Sequence, residues 1–170
     1  MCSHTPIVTV VIPCFWQDYH YLLSWFKAYI SLSNNRVDYL VVLNGLAQSE
    51  YIDLYECKNL TYIRVSAACT PGEARNLALS NIRHGHVAFL DIRTIPSRDW
   101  ISYVIKYCYN NPLGSQIGSV RYVPTKLWHY PLLSSTYGFK AINSLPGSIF
   151  HISAVLTNGL FLNGFRAGED

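Results

Sequence analysis

Residues 60–91 read LTYIRVSAACTPGEARNLALSNIRHGHVAFLD, and this run decides the fold. Residues 60–65 form one strand, and residues 86–90 form another that opens into Asp91-Ile92-Arg93-Thr94. Between them lie the strongest helix signals in the chain. Thr70 can accept from the first turn, Pro71 suits the first helical position, and Glu73 completes a capping box. The pattern runs to about Arg83, where Arg83 and His84 suit the negative end and Gly85 can close the helix. Strand, helix, strand in this order is the unit from which parallel sheets are built.

The alternation continues on both sides. Upstream, residues 7–12 are a continuous β-branched run stopped by Pro13, as expected of a strand buried on both faces. Residues 19–30 carry helical apolar spacing at Leu22, Leu23, Phe26, Tyr29 and Ile30. Residues 39–43 read as a second buried strand ended by Asn44-Gly45, with a helix following within residues 48–57. Downstream, Ser97 can cap a helix through Cys108, and a further strand lies within residues 117–123. The reading is an α/β, Rossmann-like domain spanning residues 1–170, with a mostly parallel sheet and helices on both faces. Residues 124–146 break the pattern with a long aromatic loop holding Trp128, His129, Tyr130, Tyr137 and Phe139. Such loops are usually functional or mobile, and packing beneath their own loop is the expected role of these rings.

Composition narrows the function classes. Half of the 170 residues are hydrophobic and 14% are charged, which is a globular composition. A net charge of +3 without any Lys/Arg block suits a phosphate-bearing ligand and does not point to nucleic acid. The five cysteines, Cys2, Cys14, Cys57, Cys69 and Cys108, contain no CxxC pair, so they read as reduced packing residues of a cytoplasmic protein. His84 and His86 flank Gly85 without ligand spacing and suit surface or capping roles. The start lacks a signal-peptide pattern, and no apolar run reaches membrane-spanning length. Neither a GxGxxG nor a P-loop sequence follows the first strand, which argues against dinucleotide and P-loop binding.

In open α/β sheets, ligands bind at the carboxyl ends of the strands. Four stretches fall there: Pro13-Cys14-Phe15, Leu43-Asn44-Gly45, residues 66–71, and Asp91 to Thr94. Val10-Val11-Ile12-Pro13, Glu73-Ala74-Arg75-Asn76, Phe89-Leu90-Asp91 and Arg166-Ala167-Gly168-Glu169-Asp170 follow in an order and spacing that resembles family 2 glycosyltransferases. The resemblance implies a GT-A fold and an inverting transfer of sugar from a nucleotide-diphosphate sugar to an acceptor hydroxyl. It places the nucleotide-binding half in residues 1–95 and the donor-sugar and acceptor half in residues 96–170. The family's chain continues past its Glu-Asp motif, so this sequence is expected to stop short of the family's C-terminal portion.

Residue by residue, the resemblance places Phe15 where an aromatic stacks on the base, or else in the core. Leu43 stands where the family has a base-binding Asp, leaving Asn44 or backbone groups for that task. Arg75 lies near the nucleotide, at a helix N-terminus that favours an anion. Asp91 matches the first acidic residue of the DxD motif, which holds a divalent cation against the diphosphate. The last position of that motif is Arg93, which opposes manganese or magnesium binding. Three readings follow: Arg93 replaces the metal at the diphosphate, the protein has lost activity, or Arg93 pairs with Asp91. Asp170 matches the general base and Glu169 an orienting residue. Gly147, in Pro146-Gly147-Ser148, matches the loop near the donor sugar or forms an ordinary turn into a strand. The acceptor class implied is a saccharide or a lipid-linked acceptor, in polysaccharide or glycolipid synthesis. Peripheral contact with the inner face of the membrane and self-association are compatible with the sequence. The competing reading is a degenerate nucleotide-sugar-binding or assembly domain.

Overall fold

The computed structural model describes residues 7–29, 36–45, 53–124, 126–131, 140–159 and 161, with backbone only for residues 27–29. The strands are β1 (Val8–Phe15), β2 (Val37–Asn44), β3 (Leu60–Val65), β4 (His86–Phe89), β5 (Gln116–Val120) and β6 (Ile142–His151). They form one sheet in the order β3-β2-β1-β4-β6-β5. The β3-β2-β1-β4 run is parallel, and β6 is antiparallel to both β4 and β5. The helices are α1 (Tyr19–Tyr29), α2 (Pro71–Leu79), α3 (Trp100–Asn110) and α4 (Ile152–Asn158).

Side-chain alternation along the central strands explains the layers. Val8, Val10, Ile12 and Cys14 of β1, with Tyr39, Val41 and Leu43 of β2, pack against α1 and α3 through Leu22, Phe26, Ile101 and Val104. Val11, Leu40, Val42, Val87 and Phe89 face the other way, toward α2 and α4. Ala74 and Ala78 are fully buried, and their size lets α2 lie close on the sheet. Each large side chain removed from water contributes roughly 1.5–3 kcal/mol, so this two-sided burial is the main term holding the sheet.

Several boundaries depart from the sequence reading. β1 is not stopped by Pro13 but runs on to Phe15. Leu90 N–H donates to the Val11 carbonyl at 3.0 Å, so Val11, and with it Pro13, turns its backbone polar groups toward β4. Pairing with β4 ends at Val11↔Phe89, so the N–H that proline lacks has no partner to lose. α2 ends at Leu79 rather than near Arg83. The Ser80 and Asn81 side chains each donate to the Leu77 carbonyl at 2.8 Å, diverting the chain from the helix. Ile82 then turns into the core. Ser97 does not cap α3 with its hydroxyl; Asp99 is the N-cap, and the Ser97 carbonyl accepts from Trp100 N–H at 2.9 Å. The helix expected within residues 48–57 is absent from the described part, residues 53–57.

β6 replaces part of the expected irregular loop. Its register with β5 jumps from Gln116↔Ile149 to Gly118↔Ser144. Leu145-Pro146-Gly147 bulge out of the ladder, and Gly147 takes φ +87°. Pro146-Gly147-Ser148 is therefore a bulge within a strand and not a turn leading into one. His86 is 3% exposed, not a surface group. Its Nε2–H donates to the Asn111 carbonyl at 3.1 Å, tying β4 to the end of α3.

Candidate functional site

The chain passes from β1 outward through β2 and β3, then returns across α2 to place β4 on the other side of β1. That reversal is the switch point at which open α/β sheets form a crevice. Here the gap is visible in the pairing. β1 stays with β2 as far as Phe15↔Asn44 but leaves β4 after Val11↔Phe89. Beyond that point the carboxyl ends of β1 and β4 diverge.

The β4 side of the crevice is the turn Asp91-Ile92-Arg93-Thr94, closed by Thr94 N–H donating to the Asp91 carbonyl at 2.9 Å. Arg75 reaches this turn from the first part of α2, its NH2 lying 2.8 Å from Asp91 Oδ1. Arg75 is only 3% exposed, against 41% for the Asp91 side chain. Arg75 is thus buried rather than solvent-facing, and it meets Asp91 directly. The other residues of this segment have separate tasks. Glu73 and Thr70 complete the capping box, and Ala74 packs on the sheet. Asn76 holds the backbone of Phe161, donating from Nδ2 to its carbonyl at 2.8 Å and accepting its N–H at 3.0 Å. The Phe161 ring lies 5.3 Å from the Arg75 guanidinium.

Arg93 does not pair with Asp91, the third arrangement that the sequence allowed. It extends over Tyr21 and meets Asp18, with NH2–Oδ distances of 3.1 and 3.3 Å. Asp18 ends the 3-10 turn Trp16–Asp18 that follows β1. The pair therefore spans the crevice from the β1 side to the β4 side. The Arg93 side chain is 72% exposed.

On the β1–β2 side, Phe15 is 37% exposed, so it is not a core aromatic. Its ring rests on Gly45, where an added Cβ would lie 2.5 Å from a ring carbon, and Gly45 has φ +76°. Asn44, opposite Phe15 in the register, is 4% exposed. Its Nδ2 donates to the Cys14 carbonyl at 3.4 Å, while Oδ1 has no hydrogen-bond partner among the described residues. Leu43 is fully buried in the core, and Pro13 is buried. Burial, with the Asp18 charge behind it, pushes the Cys14 thiol up to about 12, so it stays protonated.

On the far side, Gly147 lies two residues before the last β6 partner of β4, level with the end of β4. The bulge is secured by Ser148, whose hydroxyl accepts from Gly118 N–H at 2.7 Å and donates to the Ser144 carbonyl at 2.8 Å. Phe15, Asn44, Arg75, Asp91, Arg93 and Gly147 are thus gathered at one edge of the sheet. Glu169 and Asp170 lie outside the described residues.

A divalent cation does not fit the donor set described. Among the described residues no three His, Cys, Asp or Glu side chains cluster. Both carboxylates described at the crevice are taken by guanidinium groups, Asp91 by Arg75 and Asp18 by Arg93. No described helix is long and apolar enough to cross a membrane. Two groups escaped the sequence reading. Asp18 carries no local pattern that connects it to Arg93. Asn76 lay within a quoted motif, but its partner is far along the chain.

A family model described as glycosyl transferase family 2 matches residues 9–159. No curated protein matches the sequence significantly. Among solved structures, S. aureus TarS 1–349 in complex with UDP-GlcNAc aligns at TM-score 0.61 and 15% identity, covering 96% of this chain and 50% of that one. The mannosyltransferase PcManGT from Pyrobaculum calidifontis, in complex with GDP-Man and Mn2+, aligns at TM-score 0.54 and 16% identity, covering 94% and 48%. A 2-C-methyl-D-erythritol 4-phosphate cytidylyltransferase from Thermus thermophilus aligns at TM-score 0.50 and 13% identity, covering 88% and 72%. The chain spans about half the length of the two glycosyltransferase structures. At these identities the likeness is one of fold, the GT-A fold.

Proposed function

The chain belongs to glycosyl transferase family 2, and on that premise we propose that the crevice between β1 and β4 takes the diphosphate of a nucleotide-sugar donor. The observation that carries this reading is the placement of Arg93, an exposed guanidinium at the switch point, where the family motif would put a metal ligand. A guanidinium there can donate to two phosphate oxygens from its planar fork and offset the charge growing on the leaving diphosphate. Asp91, held by Arg75, shapes the turn that presents Arg93 and does not need to ligate manganese or magnesium. Phe15 offers a half-exposed ring to the base, and Asn44 Oδ1 a buried acceptor. Gly147 allows close backbone approach to the donor sugar.

The transfer is proposed to be inverting. The acceptor hydroxyl oxygen attacks the anomeric carbon as its bond to the diphosphate breaks. Asp170 takes the hydroxyl proton and Glu169 orients the acceptor. The acceptor is a saccharide or lipid-linked acceptor of polysaccharide or glycolipid synthesis. Residues 1–95 would serve the nucleotide and residues 96–170 the sugar and acceptor. A transfer assay tests the assignment: Asp170→Asn should abolish turnover while leaving donor binding nearly intact. Turnover at the parent rate would remove Asp170 from the role of base. A second reading, a degenerate nucleotide-sugar-binding or assembly domain, is favoured by Leu43, which is fully buried where the family has a base-binding Asp.

A further inference from the structure

Residues 100–168 carry formal charge of one sign. No acidic residue occurs between Asp99 and Glu169, while Lys106, Arg121, Lys126, Lys140 and Arg166 do. Within this stretch the chain leaving β5 exposes large apolar side chains instead of packing them: Val123 is 73% exposed, Leu127 88% and Trp128 63%. The expectation that these rings pack beneath their own loop therefore fails at Trp128. Arg121 and Lys126 are exposed beside them in sequence, and Lys140 is exposed two residues before Ile142, the partner of Val120 at the end of β5. A short turn, His129 N–H donating to the Lys126 carbonyl at 3.0 Å, sets Leu127 and Trp128 between two backbone-fixed positions.

We propose that Val123, Leu127 and Trp128, flanked by Arg121, Lys126 and Lys140, dock this chain on an anionic lipid surface. Tryptophan and leucine enter the headgroup boundary, and lysine and arginine remain at the anionic headgroups, their aliphatic stems lying along the apolar layer. Charge selects this occupant over a second copy of the chain. A symmetric contact would set the same cations against each other, with no carboxylate of this stretch to answer them. Topology gives the docking a consequence. β6 is antiparallel to both β4 and β5, so the carboxyl end of β5 lies at the same edge as the carboxyl ends of β1 and β4. Ile95, 84% exposed just after the β4 turn, lies at that edge too. Docking there turns the crevice toward the lipid surface. On the proposed reading of the crevice, which this step alone rests on, the acceptor would be lipid-borne.

The test is co-sedimentation of the chain with vesicles of phosphatidylcholine alone and with about a third phosphatidylglycerol. Binding is expected to the mixed vesicles only and should weaken as salt rises. The Leu127→Ser/Trp128→Ser double variant should partition about tenfold more weakly, with an unchanged melting temperature, since both side chains are exposed. Equal partition of the double variant would overturn the proposal, as would equal binding to neutral vesicles. A self-association abolished by the double variant without any lipid binding would overturn it in favour of a protein contact. Nucleoside-diphosphate binding, measured in parallel without vesicles, reports on the crevice separately, so the two readings can fail independently.

Discussion

Asp18 and Arg93, 75 positions apart in the chain, meet across the crevice at 3.1 Å. The contact holds a guanidinium at the place where the sheet opens, yet the Arg93 side chain is 72% exposed. An ion pair so open to water is worth about 0–1 kcal/mol, so a diphosphate can displace Asp18 readily. Asp18→Asn should then tighten nucleoside-diphosphate binding by up to about fivefold, the factor that corresponds to ~1 kcal/mol. Titration calorimetry measures it directly. A weakened affinity would mean that Asp18 orients Arg93 rather than competing for it.

The second ion pair is structural in character. Arg75 is 3% exposed and bridges α2 to the β4 turn through Asp91. Arg75→Met should destabilise the fold by roughly 2–3 kcal/mol, below the ~3–5 of a fully buried pair because water reaches Asp91. Urea denaturation reads this as a lower midpoint at unchanged slope. A loss under about 0.5 kcal/mol, the range of ordinary surface substitutions, would show that the pair does not secure the turn.

The β6 bulge depends on a missing side chain. A Cβ at Gly118 would lie 2.4 Å from the Gly147 carbonyl carbon and 2.5 Å from Ser148 N, both backbone atoms. Gly118→Ala should cost on the order of 1–3 kcal/mol by overpacking. Ser148→Ala, which leaves the Gly118 N–H without its acceptor, should cost about 1–3 kcal/mol. Thermal unfolding of the two variants checks both, and a melting temperature equal to the parent's in either case would refute the account of the bulge.

Acid should weaken the fold through His86. Burial, reinforced by the neighbouring His151, lowers its pKa below the ordinary 6.5 despite the Asn111 carbonyl. The unfolded chain therefore takes up the proton first. The contribution of His86 is complete above about pH 6.5 and declines as pH falls from there toward the lowered folded value. His86→Gln should flatten the stability profile between pH 7 and 5, by at most about 1.4 kcal/mol per pH unit. An identical slope in parent and variant would assign the acid sensitivity elsewhere.

What could be read from the sequence was whatever short-range pattern dictates. The capping box at Thr70 and Glu73 and the buried runs of β1 and β2 sit where their residues predict, because each signal lies within a few positions. Tertiary effects moved the rest. Pro13 stays in β1 because β4 has ended on that side, and α2 stops early because Ser80 and Asn81 compete for Leu77. Only the part of β6 after Ser148 could be read, as a strand following a turn, because a Pro-Gly bulge interrupts its alternation. In the site, Phe15, Asn44, Arg75, Asp91, Arg93 and Gly147 do converge on one edge. Partners that they meet there, Asp18 for Arg93 and the Phe161 ring for Arg75, come from remote sequence and leave no local trace.

The most direct test of the central claim, that Arg93 takes the place of a metal at the diphosphate, is calorimetric titration with UDP, GDP and their sugar conjugates, with and without manganese. The account predicts binding of one nucleotide series at equal affinity in both conditions. Arg93→Ala should weaken it by about tenfold or more, the ~1.5–3 kcal/mol of a charged hydrogen bond. Binding that requires manganese, or that survives Arg93→Ala unchanged, would contradict it.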